Sequence, residues 1–400
     1  MKKETIIIIL TSLILLFLGL QNSILNLSLF VFLIYGVSIS FLSYKSLDKR
    51  NIYHMSYMAI CLSFLMSTND YAYELMGMIL FPLSLLIDNF KSKTQIVFKL
   101  IQSANIIVFG GALFCYYNDL EKVSVLLAIL GVLIRTMQFP FHLWLREIST
   151  NSNLFPSFLF YIVSQTGFIF FAKNYLNTLE LANYNFFITG ITLCSGLYLS
   201  ILSLRKNKLL TKHLGIILSQ SCLPLAAYHS YNTGSATGGI LFSLVLAFAG
   251  SLFGLIAFVI GEQKKITLLD KYYCLYENNK DLAIIYLISG LSFVGLPFTI
   301  GYFAEDILFH GLVETAPFLA PLYILMTAIN AYTVFQSFNL LFFGHNPTKY
   351  SSIYINSLNR VLMKFAILVL VASSFYINPL AKKIESRLKS KSIARVLYSK

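Results

Sequence analysis

The chain has 400 residues, of which 57% are apolar and only 12% charged, with a formal net charge of +13. Average soluble domains carry roughly 25% charged residues, and the apolar residues here gather in blocks instead of a periodic stripe, which excludes an ordinary water-soluble domain. The basic residues are scattered among short loops, so no nucleic-acid partner is expected.

A helix needs about 17–25 predominantly apolar residues to cross a bilayer, and lipid offers no partner to an open strand edge. The expected fold is therefore all-α, a polytopic transmembrane helical bundle of about 13 helices. In chain order the blocks fall at about 5–21, 24–44, 53–67, 71–87, 96–116, 121–139, 155–173, 183–203, 211–228, 236–260, 282–304, 319–341 and 359–378. The first follows Met1-Lys2-Lys3 and has the outline of a signal peptide. It lacks an Ala-x-Ala-type cleavage site and is long for an apolar signal core, so a retained helix is expected. No Pro/Gly/Ser-rich linker or polar block longer than the 261–281 loop interrupts the series. Residues 1–379 are expected to form one transmembrane domain, followed by a basic tail over 380–400.

Loop charges set the orientation, because Lys and Arg collect on the cytoplasmic side. The even-numbered loops hold Lys45, Lys49 and Arg50, then Lys91 and Lys93, then Arg146, then Arg205, Lys206, Lys208 and Lys212, then Lys264, Lys265, Lys271 and Lys280, and finally Lys349 and Arg360. Only Lys122 and Lys173 fall in the odd ones. This predicts a cytoplasmic N-terminus and cytoplasmic 204–210 and 261–281 loops. The tail, with Lys382, Lys383, Arg387, Lys389, Lys391, Arg395 and Lys400, falls on the wrong side if the thirteenth block crosses. Either that block is re-entrant or the tail lies on the surface as a basic amphipathic helix.

Cys61, Cys115, Cys194, Cys222 and Cys274 show no metal or redox spacing, so they are expected to pack and no metal site is expected. An ionisable residue within a membrane segment costs about 2.5–3.5 kcal/mol on insertion scales and marks a candidate functional site. Glu74, Lys99, Arg135, Glu305 and Lys364 are in that position. Lys99 and Lys364 lie near segment ends, where a long stem reaches the interface. Two prolines stand beside such charges. Pro140 interrupts Arg135-Thr-Met-Gln-Phe-Pro-Phe-His-Leu-Trp-Leu-Arg146, and Pro297 interrupts Gly295-Leu-Pro-Phe-Thr-Ile-Gly-Tyr-Phe-Ala-Glu-Asp306. Broken helices beside charges fit an ion pathway, so two discontinuous helices are expected. Gly110-Gly111 and Gly238-Gly239 read as close helix packing.

At these residues the chain resembles the antiporter-like membrane subunits shared by NADH:quinone oxidoreductase, Mrp-type antiporters, membrane hydrogenases and inorganic-carbon uptake systems. Tyr73-Glu74-Leu75-Met76 with Pro82 is similar to the family's glutamate helix, and Phe98-Lys99 to the start of the next. Gln138-Phe139-Pro140-Phe141-His142-Leu143-Trp144-Leu145 matches the family's Gln-x-Pro-x-His-x-Trp-Leu stretch, its most specific signal. Residues 190–220, with Ser219-Gln220, resemble the central helix pair, Leu287 to Leu308 the second broken helix, and Tyr332 to Gly344 the penultimate helix.

The resemblance implies an ion-translocating subunit moving H⁺ or Na⁺ past midplane charges, with Glu74, Lys99, Arg135, His142 and Glu305 as candidate ion-translocation residues. It implies other membrane subunits and a soluble energy-coupling or catalytic subunit as partners, in a bacterial inner membrane. Two departures bear on mechanism. Arg135 stands where the family has lysine before Gln-x-Pro, and Glu305 where it has lysine in the second broken helix. The Lys or His of the intervening helices is replaced by Gln165 and Ser251. Arginine stays protonated in proteins and cannot relay a proton, but it can clamp Glu74 as a counter-ion. A carboxylate such as Glu305 can carry one. The alternatives are a non-pumping scaffold that anchors a soluble partner, for example in inorganic-carbon uptake, and an unrelated solute carrier, for which a more polar cavity is expected. No Walker, Rossmann, cysteine-cluster or haem-ligand pattern is present, so no cofactor and no catalytic centre is expected in the chain itself.

Overall fold

A computed structural model describes residues 49–68, 70–87, 93–136, 141–144, 155–165, 167, 169, 185–229, 232–344, 352–355 and 357–386. The predicted segments at 5–21 and 24–44, and Pro140, lie outside the described residues. All the regular elements among the described residues are helices, with no strand beyond one isolated bridge between Lys208 and Leu268. Five described helices are long and apolar enough to cross a membrane: Ile96–Tyr117, Phe186–Arg205, Thr233–Lys264, Pro317–Phe342 and Arg360–Ser386. The chain divides into two compact units, Met1–Asn174 and Tyr175–Lys400.

In the first unit the helices are α1 (Lys49–Ser67), α2 (Tyr71–Leu80), α3 (Leu83–Ile87), α4 (Lys93–Tyr117), α5 (Glu121–Arg135) and α6 (Phe155–Val163). Asp70 starts α2 as N-cap by accepting from the Ala72 N–H at 3.0 Å, and Glu74 sits in that first turn, where the helix dipole favours a carboxylate. Pro82 cannot donate a backbone hydrogen bond, so the predicted 71–87 segment divides into α2 and α3 at Phe81-Pro82. Helices α4 and α5 are tied by the Asn105 amide donating to the Gly131 carbonyl at 2.7 Å and by Ser124 Oγ donating to the Ala112 carbonyl at 2.7 Å. The predicted 155–173 segment turns at Ser164, and Gln165 has a left-handed φ of 48°. This interruption carries no proline.

The second unit holds α7 (Asn185–Arg205), α8 (Leu209–His229), α9 (Thr233–Val245), α10 (Ser251–Lys264), α11 (Lys280–Ser292), α12 (Ile300–Thr315), α13 (Ala320–Phe342) and α14 (Ser357–Ala372). A π-turn over Leu246–Gly250 joins α9 to α10, giving one continuous helix over Thr233–Lys264. That helix is apolar on all sides and mostly buried, the pattern of a core helix. Between α11 and α12 the helix is broken at residues 293–299, with Gly295 at φ +89° and Phe298 at φ +67°. Pro297 in this stretch has no N–H to continue a ladder. The re-entering helix lies against the break itself. A Cβ on Gly301 would fall 1.7 Å from the Ser292 carbonyl oxygen, so only glycine fits there. The pairing of α9 with α12 is equally close, since a Cβ on Gly238 would meet the Leu308 backbone nitrogen at 2.4 Å.

One end of this unit is knitted by backbone bonds. Leu209 N–H donates to Thr267 O at 3.0 Å, and Leu269 N–H to Asn207 O at 2.6 Å. Tyr273 and Leu275 N–H donate to the Leu340 and Leu341 carbonyls at 2.8 and 3.1 Å. The 204–210 and 261–281 loops therefore share one end of the unit with the end of α13.

Candidate functional site

In the first unit Glu74 and Arg135 are both buried, at 2% and 3% exposure. Arg135 ends α5, where the helix dipole favours a cation. Its guanidinium carbon lies 3.4 Å from the Tyr161 ring centroid and 4.3 Å from that of Phe81. The Tyr161 hydroxyl donates to Gln102 Oε1 at 2.7 Å, which fixes the ring that carries the cation. This aromatic cradle was not foreseen from the sequence. His142 is buried in the 3₁₀ turn Phe141–Trp144, and Lys99 is half-buried in α4.

In the second unit the polar groups line up. Glu305 is 9% exposed in the second turn of α12, whereas the sequence reading ended that segment at residue 304. The helix continues to Thr315, so Glu305 points inward. Its neighbour Asp306 points outward, with an Oδ1 3.4 Å from His310 Nδ1. The Glu305 carboxylate folds back to the break, with Oε2 2.5 Å from where a Gly295 Cβ would stand. A side chain at 295 would displace it. The Tyr323 hydroxyl of α13 donates to the Glu305 backbone carbonyl at 3.3 Å.

Lys212 corrects the loop assignment made from charge. Lys212 belongs to the first turns of α8, is 1% exposed, and donates through Nζ to Gln336 Oε1 of α13. His213 is fully buried; its Nδ1 lies 2.7 Å from the Leu209 carbonyl and its Nε2 2.6 Å from the Tyr286 hydroxyl of α11. Further along the same helices, Asn330 Nδ2 donates to Ser219 Oγ at 2.9 Å, and Ser219 Oγ donates to the Gly196 carbonyl at 2.7 Å. Gln220 is fully buried with neither amide atom hydrogen-bonded to a described residue, and Asn330 Oδ1 and Ser292 Oγ are in the same position. Helix α13 thus presents Gln336, Asn330 and Tyr323 in turn to Lys212, Ser219 and Glu305. The stretch of α13 from Tyr323 to Gln336 rises about 20 Å at 1.5 Å per residue, against about 30 Å for a hydrocarbon core. No cluster of three or more metal-ligating side chains occurs among the described residues.

The family described as NADH:quinone oxidoreductase/Mrp antiporter, TM matches residues 78–331, well over half of the chain. The chain belongs to this family. It is accordingly an integral membrane protein. Among curated members it is 23% identical over 244 residues to NADH-ubiquinone oxidoreductase chain 4 of Wickerhamomyces canadensis, covering 60% of this chain and 46% of that one. It is 24% identical over 278 residues to the putative antiporter subunit mnhA2 of Staphylococcus saprophyticus, covering 58% and 34%. The match thus spans less than half the length of either relative. Among solved structures, a chain of respiratory complex I from Thermus thermophilus with bound NADH superimposes with a TM-score of 0.78 at 17% identity, covering 90% of this chain and 84% of that one. A chain of the Mrp complex from Dietzia sp. gives 0.74 at 11%, covering 90% and 81%. The antiporter-like fold is shared.

Proposed function

We propose that the chain is an ion-translocating membrane subunit of a larger assembly, moving protons or sodium ions through the second unit along Lys212–Gln336, Ser219–Asn330 and Glu305. The observation that carries this reading is the buried carboxylate at the broken helix, in line with a buried lysine on the same polar row. In a low-dielectric interior such groups persist where they have a function to serve. Gln220, Asn330 and Ser292 keep buried hydrogen-bonding capacity that the described side chains do not use, which suits bridging water between the charged ends. Other membrane subunits, and a soluble subunit supplying redox or chemical energy, are the partners this role requires.

Lys212 gives the first test. Lys212→Met in the assembled complex should lower ion flux into vesicles severalfold at an unchanged amount of assembled protein, because an isosteric apolar chain leaves Gln336 in place but removes the charge. Undiminished flux would exclude Lys212 from the path.

The second reading, a non-pumping membrane scaffold for a soluble partner, is favoured by one observation. Arg135, standing where the family resemblance calls for lysine, retains its proton and lies over two rings, so the first unit holds a fixed charge. Wild-type flux in both Lys212 and Glu305 variants would select that reading.

The same proposal includes orientation: a bacterial inner membrane with the N-terminus and the 204–210 and 261–281 loops in the cytoplasm. Arg205, Lys206, Lys208, Lys264, Lys265 and Lys271 on the shared end support it. Single cysteines placed in each loop, in a background lacking the five native ones, should resist an impermeant maleimide in intact cells. Labelling of both would reverse the orientation.

A further inference from the structure

We propose that the cavity between the first turns of α11 and α14 binds the headgroup of an anionic phospholipid, whose acyl chains run along the apolar ridge below it. The cavity measures about 240 Å³. Its polar rim includes Lys280 from α11 and Arg360 from α14, and Leu282, Ile285, Ile353 and Met363 form a buried apolar floor. Neither the Lys280 nor the Arg360 side chain makes a hydrogen bond or a close ion pair among the described residues, although the Arg360 charge also acts on Asp281. Asp281, also on the rim, is engaged by Lys364 Nζ at 2.7 Å, so its charge is already matched. Glu277 is the other rim carboxylate, which leaves the rim and Lys364 together net positive.

What identifies a lipid is the surface adjoining these cations. On α14, Val361, Phe365 and Leu368 are exposed at helical i, i+4, i+7 spacing, on the face that carries Lys364, and on α11 Ile284 is exposed one turn beyond Asp281, the partner of Lys364. Arg360 to Leu368 covers about 12 Å of helix, close to the roughly 15 Å depth of one leaflet. A cationic pocket above a lipid-length apolar stripe complements a phosphate-bearing headgroup and its chains, whereas a free anion would use only the pocket. The Asn279 side chain keeps the pocket in shape, donating to the Leu275 carbonyl at 3.0 Å and accepting from the Ile353 N–H at 2.7 Å.

The test uses the purified full-length chain and native mass spectrometry with phosphatidylglycerol, phosphatidylcholine or inorganic phosphate. Wild-type protein should retain phosphatidylglycerol in preference to phosphatidylcholine. A Lys280→Gln/Arg360→Gln variant should bind it about thirtyfold more weakly, at about 1 kcal/mol per cation near an anionic lipid. Its melting temperature in phosphatidylcholine should match wild type, which separates lost binding from lost folding, and Lys382→Gln/Lys383→Gln should leave retention unchanged. Equal retention of both lipids, or equal binding by the Lys280/Arg360 variant, would overturn the site. Displacement of the lipid by millimolar phosphate would overturn the lipid assignment in favour of a free-anion pocket. Should Lys280→Gln/Arg360→Gln fail to fold, Lys280→Glu alone should reverse the preference toward the zwitterionic lipid, and an unchanged preference would overturn the proposal.

Discussion

Glu305→Gln is expected to abolish ion-coupled activity, by about a hundredfold or more, on the scale that positioned proton-transfer groups contribute, while leaving the amount of assembled complex unchanged. The two side chains have nearly the same volume and both accept hydrogen bonds, so the close contact at Gly295 and the Tyr323 bond to the backbone carbonyl are kept. Only the exchangeable proton, or the negative charge that would hold a sodium ion, is removed. Glu305→Asp keeps the carboxyl but draws it back by one methylene from the break, so part of the activity should survive with an altered pH profile. Asp306→Asn is the control. Asp306 is chemically the same group one residue on, but it faces outward beside His310, and its loss should be close to silent. Ion flux into vesicles, normalised to assembled protein, reads all three. Full flux in Glu305→Gln, or equal losses in Glu305 and Asp306 variants, would remove the second unit's carboxylate from the mechanism.

The contrast between those neighbours shows how much of the site the sequence carried. The apolar blocks and the Gln-Phe-Pro-Phe-His-Leu-Trp-Leu stretch were enough for an all-helical membrane fold and the family, because block length and motif survive at low identity. The Glu305-Asp306 pair ended an apolar run and so read as a segment boundary. A helix turns about 100° per residue, so one carboxylate can face the interior while the next faces out, and a linear hydropathy count cannot separate them. Lys212 was misplaced for the same reason. It lies at the edge of an apolar block and was counted with the loop cations, although Lys212 and Ser219, like His213 and Gln220, are seven residues apart on shared faces of α8. On α13, Tyr323, Asn330 and Ser337 repeat the same spacing. That polar heptad stripe was available in the sequence, whereas its pairing with α8 and α12 was not, since Lys212–Gln336 and Ser219–Asn330 are contacts between distant segments. The turn at Gln165 was hidden because no proline marks it.

The cradle of Arg135 was equally out of reach, because Phe81 and Tyr161 come from elements far from α5 in sequence, and its worth can be measured. Arg135→Ala should cost about 3–5 kcal/mol of stability, the range for removing one partner from a buried charge arrangement. Arg135→Lys keeps the positive charge but replaces a flat, weakly hydrated guanidinium with a compact ammonium that cannot stack, so it is not a conservative change here. A desolvated cation–π contact is worth about 2 kcal/mol, and Arg135→Lys should lose about that much. Tyr161→Leu should lose a comparable amount, and combining it with Arg135→Lys should add little, because both remove the same contact. The proposed pairing of Glu74 with Arg135 makes a separate statement in the same assay. Glu74→Gln with Arg135→Ala should be milder than the sum of the two single changes, since each single change leaves one buried charge unpaired and the double change leaves none. Thermal unfolding of the purified protein in a fixed lipid measures every arm. A wild-type melting temperature for Arg135→Lys would show that charge alone matters at this position, and strictly additive Glu74 and Arg135 costs would show that the two side chains do not meet.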